Sequence, residues 1–260
     1  MAQPSAPSAI APEPFLDRTF AGRLDGIDVA RALAFGGMLL AHFARPMRPG
    51  DPGWLQALDN IADGRAAPLF CMLLGVGAGI LVTRGTPDRV LVQRGLALFV
   101  IGLAIWPRVD RVYLILPHYG VLLSLVPLLR RLSTRALLPV AAFAFVVPSV
   151  ITAIVDGHGL RGSSQPATYD ALLDSRSLLG QLFWTGGYPV VGWVGFVLIG
   201  LWMARQPLQD RVTQLRLFAG SGAVMLLQPI AAVVFRRFDG RLEDPNARGW
   251  SAFFDGTAHS

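Results

Sequence analysis

The chain contains no lysine: its 23 basic side chains are all arginine, and charged residues make up only 15% of its 260 positions. Cysteine occurs once, as Cys71 inside an apolar block. A lone cysteine excludes an intrachain disulfide, and neither zinc-type nor CxxC spacing is present. The missing lysine reads as the mark of a GC-rich genome rather than of a mechanism. The shortage of charge says more, because soluble domains carry about 25% charged residues. What is present instead is hydrophobicity, at 53% of residues and a mean hydropathy of +0.48. It comes in blocks of transmembrane length, which favours one membrane-embedded unit over two soluble domains. A net charge of +6 and a pI near 10.6 would suggest nucleic acid in a soluble chain. Here the arginines stand at the ends of apolar blocks, where membrane topology uses them. The expected partner is therefore a lipid bilayer and not nucleic acid.

Residues 1–22 are rich in Pro, Ala and Ser and lack the basic start of a signal peptide, so they read as a disordered cytoplasmic tail. From there the expected class is all-α: a polytopic transmembrane bundle of about seven spans. The predicted spans are 26–43, 66–83, 91–107, 112–129, 136–155, 187–204 and 214–235. Between the first two, WLQALDNIADG reads as a short amphipathic helix lying in the interface. The membrane domain thus covers 23–235, with a polar tail or loop at 236–260. Short loops bearing Arg84, Arg89 and Arg94, then Arg130, Arg131 and Arg135, then Arg205, Arg211 and Arg216 fall on one side in this count. The long, arginine-poor loop 156–186 falls on the other. The positive-inside rule then puts the N-terminus in the cytoplasm of a multi-pass cell-membrane protein.

The first span carries Arg31 and His42 within an otherwise apolar run. At helical geometry the two lie within roughly 20° on one face and about 16 Å apart along the axis. Asp28, Phe35 and Met38 share that face. Ionisable groups at membrane depth are functional candidates by default. A plainer reading lets Arg31 snorkel to the interface and pair with Asp28, with His42 bonded to an interfacial carbonyl. In the second span, Gly75-Val-Gly-Ala-Gly79 is a GxxxG pattern for close helix approach. No strand precedes it and no lysine comes after it, which argues against a phosphate loop. Asp63 and Arg65 at the mouth of this span are candidates for substrate binding or for a local ion pair. The fourth span holds Pro117-His118-Tyr119-Gly120, read as a break in the helix whose freed carbonyls could line a cavity. Trp106, Trp184, Trp193 and Trp202 suit an interfacial aromatic belt.

These same residues carry a resemblance. Leu24-Asp-Gly-Ile-Asp-Val-Ala-Arg31, then Gly37-Met-Leu-Leu-Ala-His42, resembles the first helix of integral-membrane acyltransferases. In the bacterial acyltransferase-3 family an arginine and a catalytic histidine recur at this spacing. The wider pattern is similar to the heparan-alpha-glucosaminide N-acetyltransferase-like family and its YeiB-like bacterial relatives. Asp63-Gly-Arg65-Ala-Ala-Pro-Leu-Phe70, Ile115-Leu-Pro-His-Tyr-Gly120 and Gly187-Tyr-Pro-Val-Val-Gly-Trp193 match further signatures in order, from about residue 23 to 220. Eukaryotic members carry a catalytic histidine in the first exterior loop, and 48–63 has none, so that role does not carry over. Relatives also continue with more spans, which implies that 236–260 lead toward spans beyond Ser260.

The resemblance implies a membrane-bound O- or N-acyltransferase that uses acyl-CoA, acetyl-CoA above all, as co-substrate and no metal. The acceptor it implies is a hydroxyl or amine of a glycan or cell-envelope molecule. His42 and Arg31 are the expected catalytic residues, with Asp28, Asp63, Arg65, His118 and Tyr119 binding substrate. Two readings of the residues stay open beside it: a small-molecule permease, for which buried charge and broken helices are equally natural, and a non-catalytic scaffold. Oligomerisation also stays open.

Overall fold

In a computed structural model of the chain, residues 25–43, 52–55, 65–105, 114–157, 175–185 and 188–223 are described, with backbone alone at 41–43, 149–157, 175–177, 181 and 185. No strand occurs among the described residues. The helices are α1 (Asp25–Phe43), α2 (Ala66–Thr83), α3 (Asp88–Ile105), α4 (Leu116–Leu129) and α5 (Thr134–Gly157). The short α6 (Ser175–Gly180) runs into a π turn (Gln181–Thr185), and α7 (Val190–Ala204) comes next. Residues 211–223 are helical as well.

A helix therefore stands at each of the seven apolar windows, but the windows are unequal. Among the described residues α2 alone is long and apolar enough to cross a bilayer, with a mean hydropathy of 2.1. Residues 116–129, 134–148 and 190–204 form apolar helices that are shorter. The causes differ: α4 and α7 have only 14 and 15 residues, whereas α3 begins with Asp88, Arg89 and Arg94 and α1 carries Asp25, Asp28 and Arg31. The expected interfacial helix after the first span appears as a single turn at 53–55, and the remainder lies outside the described residues.

One expectation is corrected outright. Pro117 does not break α4 but starts it, in the first turn after Ile115. Proline suits that position because the amide it lacks would have no helical acceptor. The first helical bond is made by the Tyr119 N–H to the Ile115 carbonyl at 2.9 Å. Pro189 likewise caps α7, accepting at 3.0 Å from both the Gly192 and Trp193 amides. The turn from α2 to α3 closes on Gly85 at φ 81°, where Gly85 N–H bonds the Val82 carbonyl and Thr86 N–H that of Leu81. Only glycine adopts that left-handed cap at no cost.

Packing is set by small residues. Gly75 faces the backbone of Val197 and Gly200, and Gly79 faces Ala204, so α2 and α7 run parallel in close contact. A side chain at Gly200 would begin 2.8 Å from the Val76 nitrogen and 2.9 Å from the Gly75 Cα. The antiparallel pair α3 and α4 meets at Gly95 with Gly120 and Ser124, and at Gly102 with Pro117. Helix α1 lies antiparallel on α2, Gly37 against Ala66 and Arg31 against Gly77. The shared core includes Cys71, Leu74, Leu91, Leu122, Val126, Leu137, Val197 and Leu198, all buried. Outward faces are apolar too: Leu33 is 68% exposed, Val100 62%, Phe143 67% and Phe218 78%.

The connections at one end of the bundle are tied by arginine. Arg205, just past α7, donates from Nη1 to the Leu132 carbonyl at 2.8 Å and Thr134 Oγ1 at 3.1 Å. Its Nη2 donates to the Arg130 carbonyl at 2.8 Å. Arg130 in turn pairs with Asp88 at 2.7 Å. Beyond Arg205, Asp210 accepts from the Thr213 N–H at 2.9 Å and Oγ1 at 3.0 Å, capping the helical residues 211–223. Those bonds hold its carboxyl below the usual carboxylate range.

The crossing of α2 and α7 generates a stability prediction. Gly200→Val should destabilise the bundle by about 1–3 kcal/mol, as overpacking does, whereas Gly36→Ala, with open space around it, should be neutral or slightly stabilising. Cys71 is 0% exposed and is the chain's one thiol, so maleimide labelling during a detergent melt reads the loss of packing directly. Equal melting of the two variants would mean that the close approach of α2 and α7 contributes nothing to stability.

Candidate functional site

Chemistry-bearing side chains concentrate where α1, α2, α4 and α7 adjoin. The alternation of the helices puts the C-terminus of α1 and the starts of α2, α4 and α7 at the bundle end away from the tied arginine loops. His118 and Tyr119 stand in the first turns of α4. Successive helical residues point about 100° apart, so the two serve different neighbours. His118, 2% exposed, faces the buried Tyr188 just ahead of α7, ring centroids 5.9 Å apart and edge-on. Tyr188 packs in turn on Trp193 at 5.0 Å, and Trp193 on Phe196 at 5.6 Å. Tyr119 turns the other way and stacks on Phe70 of α2 at 4.8 Å.

Arg31, on α1, stands nearer the arginine-tied end. Its Nη1 bonds Asp28 Oδ1 at 3.3 Å, with the two side chains 45% and 41% exposed. The rest of the guanidinium lies over Gly77 of α2. Tyr119 is within electrostatic reach of both Arg31 and Cys71. Asp28 and Arg31 of α1, bonded to each other, and Tyr119 of α4, within the field of Arg31, are all candidates from the sequence. Met38 is half-buried along the same stripe, but Phe35 is 56% exposed and points outward.

Other expected site residues are not brought into this cluster. Arg65 is exposed at the N-cap of α2, where its side chain makes no capping bond. The backbone of His42 ends α1 at the same bundle end as His118, while its side chain lies outside the described residues. Asp63 lies outside them altogether, so its pairing with Arg65 does too. Of the tryptophans read as an aromatic belt, Trp106 is outside as well, Trp184 is 37% exposed, and Trp193 and Trp202 are partly buried against the core. A groove of about 270 Å³ between α4, α5 and α7 is lined by Leu125, Phe143, Val147, Val190 and Val194 among others, all apolar. It offers nothing that could move a proton. Among the described residues no three of His, Cys, Asp or Glu gather as metal ligands would.

The comparison with known families decides the assignment. The profile of the heparan-alpha-glucosaminide N-acetyltransferase catalytic region matches residues 23–232. The chain belongs to this family. No curated protein and no solved structure matches it. The matched stretch includes every residue of the cluster, from Asp28 on α1 to Trp193 on α7.

The sequence does not single out Tyr188 or Gly77 as site residues. It does carry a signal for Gly77, which stands 200° round the helix from Gly75, so a contact made by Gly75 and Gly79 cannot account for it. Tyr188 lies in the Gly187–Trp193 signature, but its meeting with His118 spans 70 residues and two helix ends, which no local pattern reveals.

The Tyr188 wall can be checked chemically. Diethyl pyrocarbonate modification, mapped by mass spectrometry, should be slow at His118 in the native protein and in Tyr188→Phe. It should rise in Tyr188→Ala, where the shielding ring is gone. A rapid reaction at His118 in the native protein would refute its burial.

Proposed function

We propose that this protein is an integral-membrane acyltransferase. It moves an acyl group, acetyl by family analogy, from acyl-CoA to a hydroxyl or amine of a glycan or cell-envelope acceptor. The observation that carries the reading is the family match across 23–232. Membrane residence is supported by α2 and by the apolar outward faces of α1, α3 and α5, which water would penalise and lipid does not. On this reading the helices of all seven windows cross the bilayer. The arginine-tied end is cytoplasmic, and so is the N-terminus.

The donor then approaches from the arginine-rich side, and its phosphates are drawn to Arg31. At the opposite end His42 acts as general base, taking the proton from the acceptor O–H or N–H. The acceptor oxygen or nitrogen attacks the thioester carbonyl, the C–S bond breaks, and the CoA thiolate leaves and takes up that proton. In a two-step variant the imidazole itself attacks and carries the acyl group transiently. His118, buried against Tyr188, and Tyr119 border the reacting end and bind substrate, with Asp63 and Arg65 at its mouth. The permease reading draws on a broken fourth helix. With Pro117 at a helix start, it keeps only the charged residues in its favour.

Topology reporters fused after Arg89, Arg131 and Gln206 should read cytoplasm, and those near Gly53 and Ser164 the exterior. An exterior signal at Arg131 would overturn the orientation. In an acetyl-CoA assay on membranes, His42→Ala should lower transfer by about 10²–10⁴-fold, the usual contribution of a general base, without loss of membrane insertion. A fully active His42→Ala with an inactive His118→Ala would move the chemistry to α4. Full activity in both would end the general-base reading and leave transport as the better one.

A further inference from the structure

Gly75 and Gly79 are explained by the crossing with α7, but Gly77 points toward α1. A Cβ placed there would collide with Arg31 Nη2 and lie 3.6 Å from Cζ. The guanidinium therefore rests on bare helix backbone, which is possible only because residue 77 has no side chain. The seat lies six residues inside the end of α2, about 9 Å from the arginine-tied end at a rise of 1.5 Å per residue. An arginine held at that depth is costly without a partner or ligand. Its contact with Asp28, at 3.3 Å, is longer than a charge-assisted bond normally is, and it engages one nitrogen of the fork. The side chain is still 45% exposed, so the contact with Gly77 leaves part of the fork accessible. A planar fork that, among the described residues, bonds Asp28 alone suits a phosphate oxygen pair better than a point charge does.

We propose that Arg31 seated on Gly77 forms a phosphate subsite within the bundle, and that Gly77 is the residue which sets its geometry and specificity. The proposal rests on the acyl-CoA reading for its natural ligand, a phosphate group of the donor. The seat itself is a separate, measurable property. With Gly77→Ala the guanidinium is pushed off the helix and the fork loses its fixed plane. Arg31→Lys keeps the charge and loses the fork.

The test is calorimetric titration of the detergent-solubilised full chain with inorganic pyrophosphate, coenzyme A and pantetheine, the last lacking phosphate. Pyrophosphate and coenzyme A should bind about tenfold more weakly to Gly77→Ala and to Arg31→Lys, the effect of one lost charge-assisted hydrogen bond. Pantetheine should bind all three proteins alike. The double variant should bind no more weakly than Arg31→Lys, because both changes remove one interaction. Unchanged pyrophosphate binding in the variants, or none in the native protein, would overturn the subsite, since the arginine-rich loops would then account for any binding. Additive losses would overturn the role of Gly77. Binding of pyrophosphate that depends on Arg31, without binding of coenzyme A, would support the subsite and refute the acyl-CoA reading. Should Gly77→Ala label freely at Cys71, and so be unfolded, Arg31→Lys decides the subsite alone.

Discussion

Close approach of helix backbones at glycine is the constraint on which the rest of this structure depends. Lipid is as apolar as leucine, so burying leucine between membrane helices gains little, and packing has to come from shape. In this chain the shape is supplied where Gly75 meets Gly200 and where Gly95 meets Gly120. The first contact fixes α7 against α2, and the second fixes α4 against α3. Everything at the site hangs from those two pairs. Tyr188 reaches His118 because α7 is held parallel to α2, and His118 stands at its height because Gly102 accommodates Pro117.

Charge then divides the bundle into two unlike ends. At one end arginine is structural: Arg205 satisfies the Arg130 and Leu132 carbonyls that the end of α4 would otherwise leave unpaired, and Arg130 holds Asp88. Arginine suits this place because its planar fork spreads the donors over two nitrogens, Nη1 to Leu132 and Thr134 and Nη2 to Arg130. At the other end, among the described residues, His118 and Tyr119 stand on aromatic neighbours and Arg65 opens α2. Arg31 lies between the two, inside the bundle yet on the side of the arginine-rich loops. That gradation fits a protein in which an anionic donor and a neutral acceptor approach from opposite faces.

Much of the site is legible in the chain, and the parts that are not share a physical cause. Helical periodicity puts Asp28 and Arg31 together, and they are bonded. The order of short motifs points to the acetyltransferase family, and the family match covers the same region. Pro117, by contrast, reads as a break although it opens a helix, because a proline in an apolar run looks the same whether the helix lies before it or after it. Hydropathy averages also make the seven windows look alike, since they hide the charged first turns of α1 and α3.

By itself the sequence determined the properties that arise from composition and local periodicity: an all-helical, apolar chain, a helix at each apolar window though not α6 within the stretch 156–186 that reads as a loop, and a candidate stripe on the first. These properties depend on residues within a few turns of one another. Only the tertiary structure decided which helix each glycine faces, that Gly77 seats Arg31 while Gly75 seats α7, and that His118 and Tyr119 serve opposite sides of α4. Those outcomes depend on contacts between residues far apart in the chain, and a glycine carries no mark of the partner it will admit.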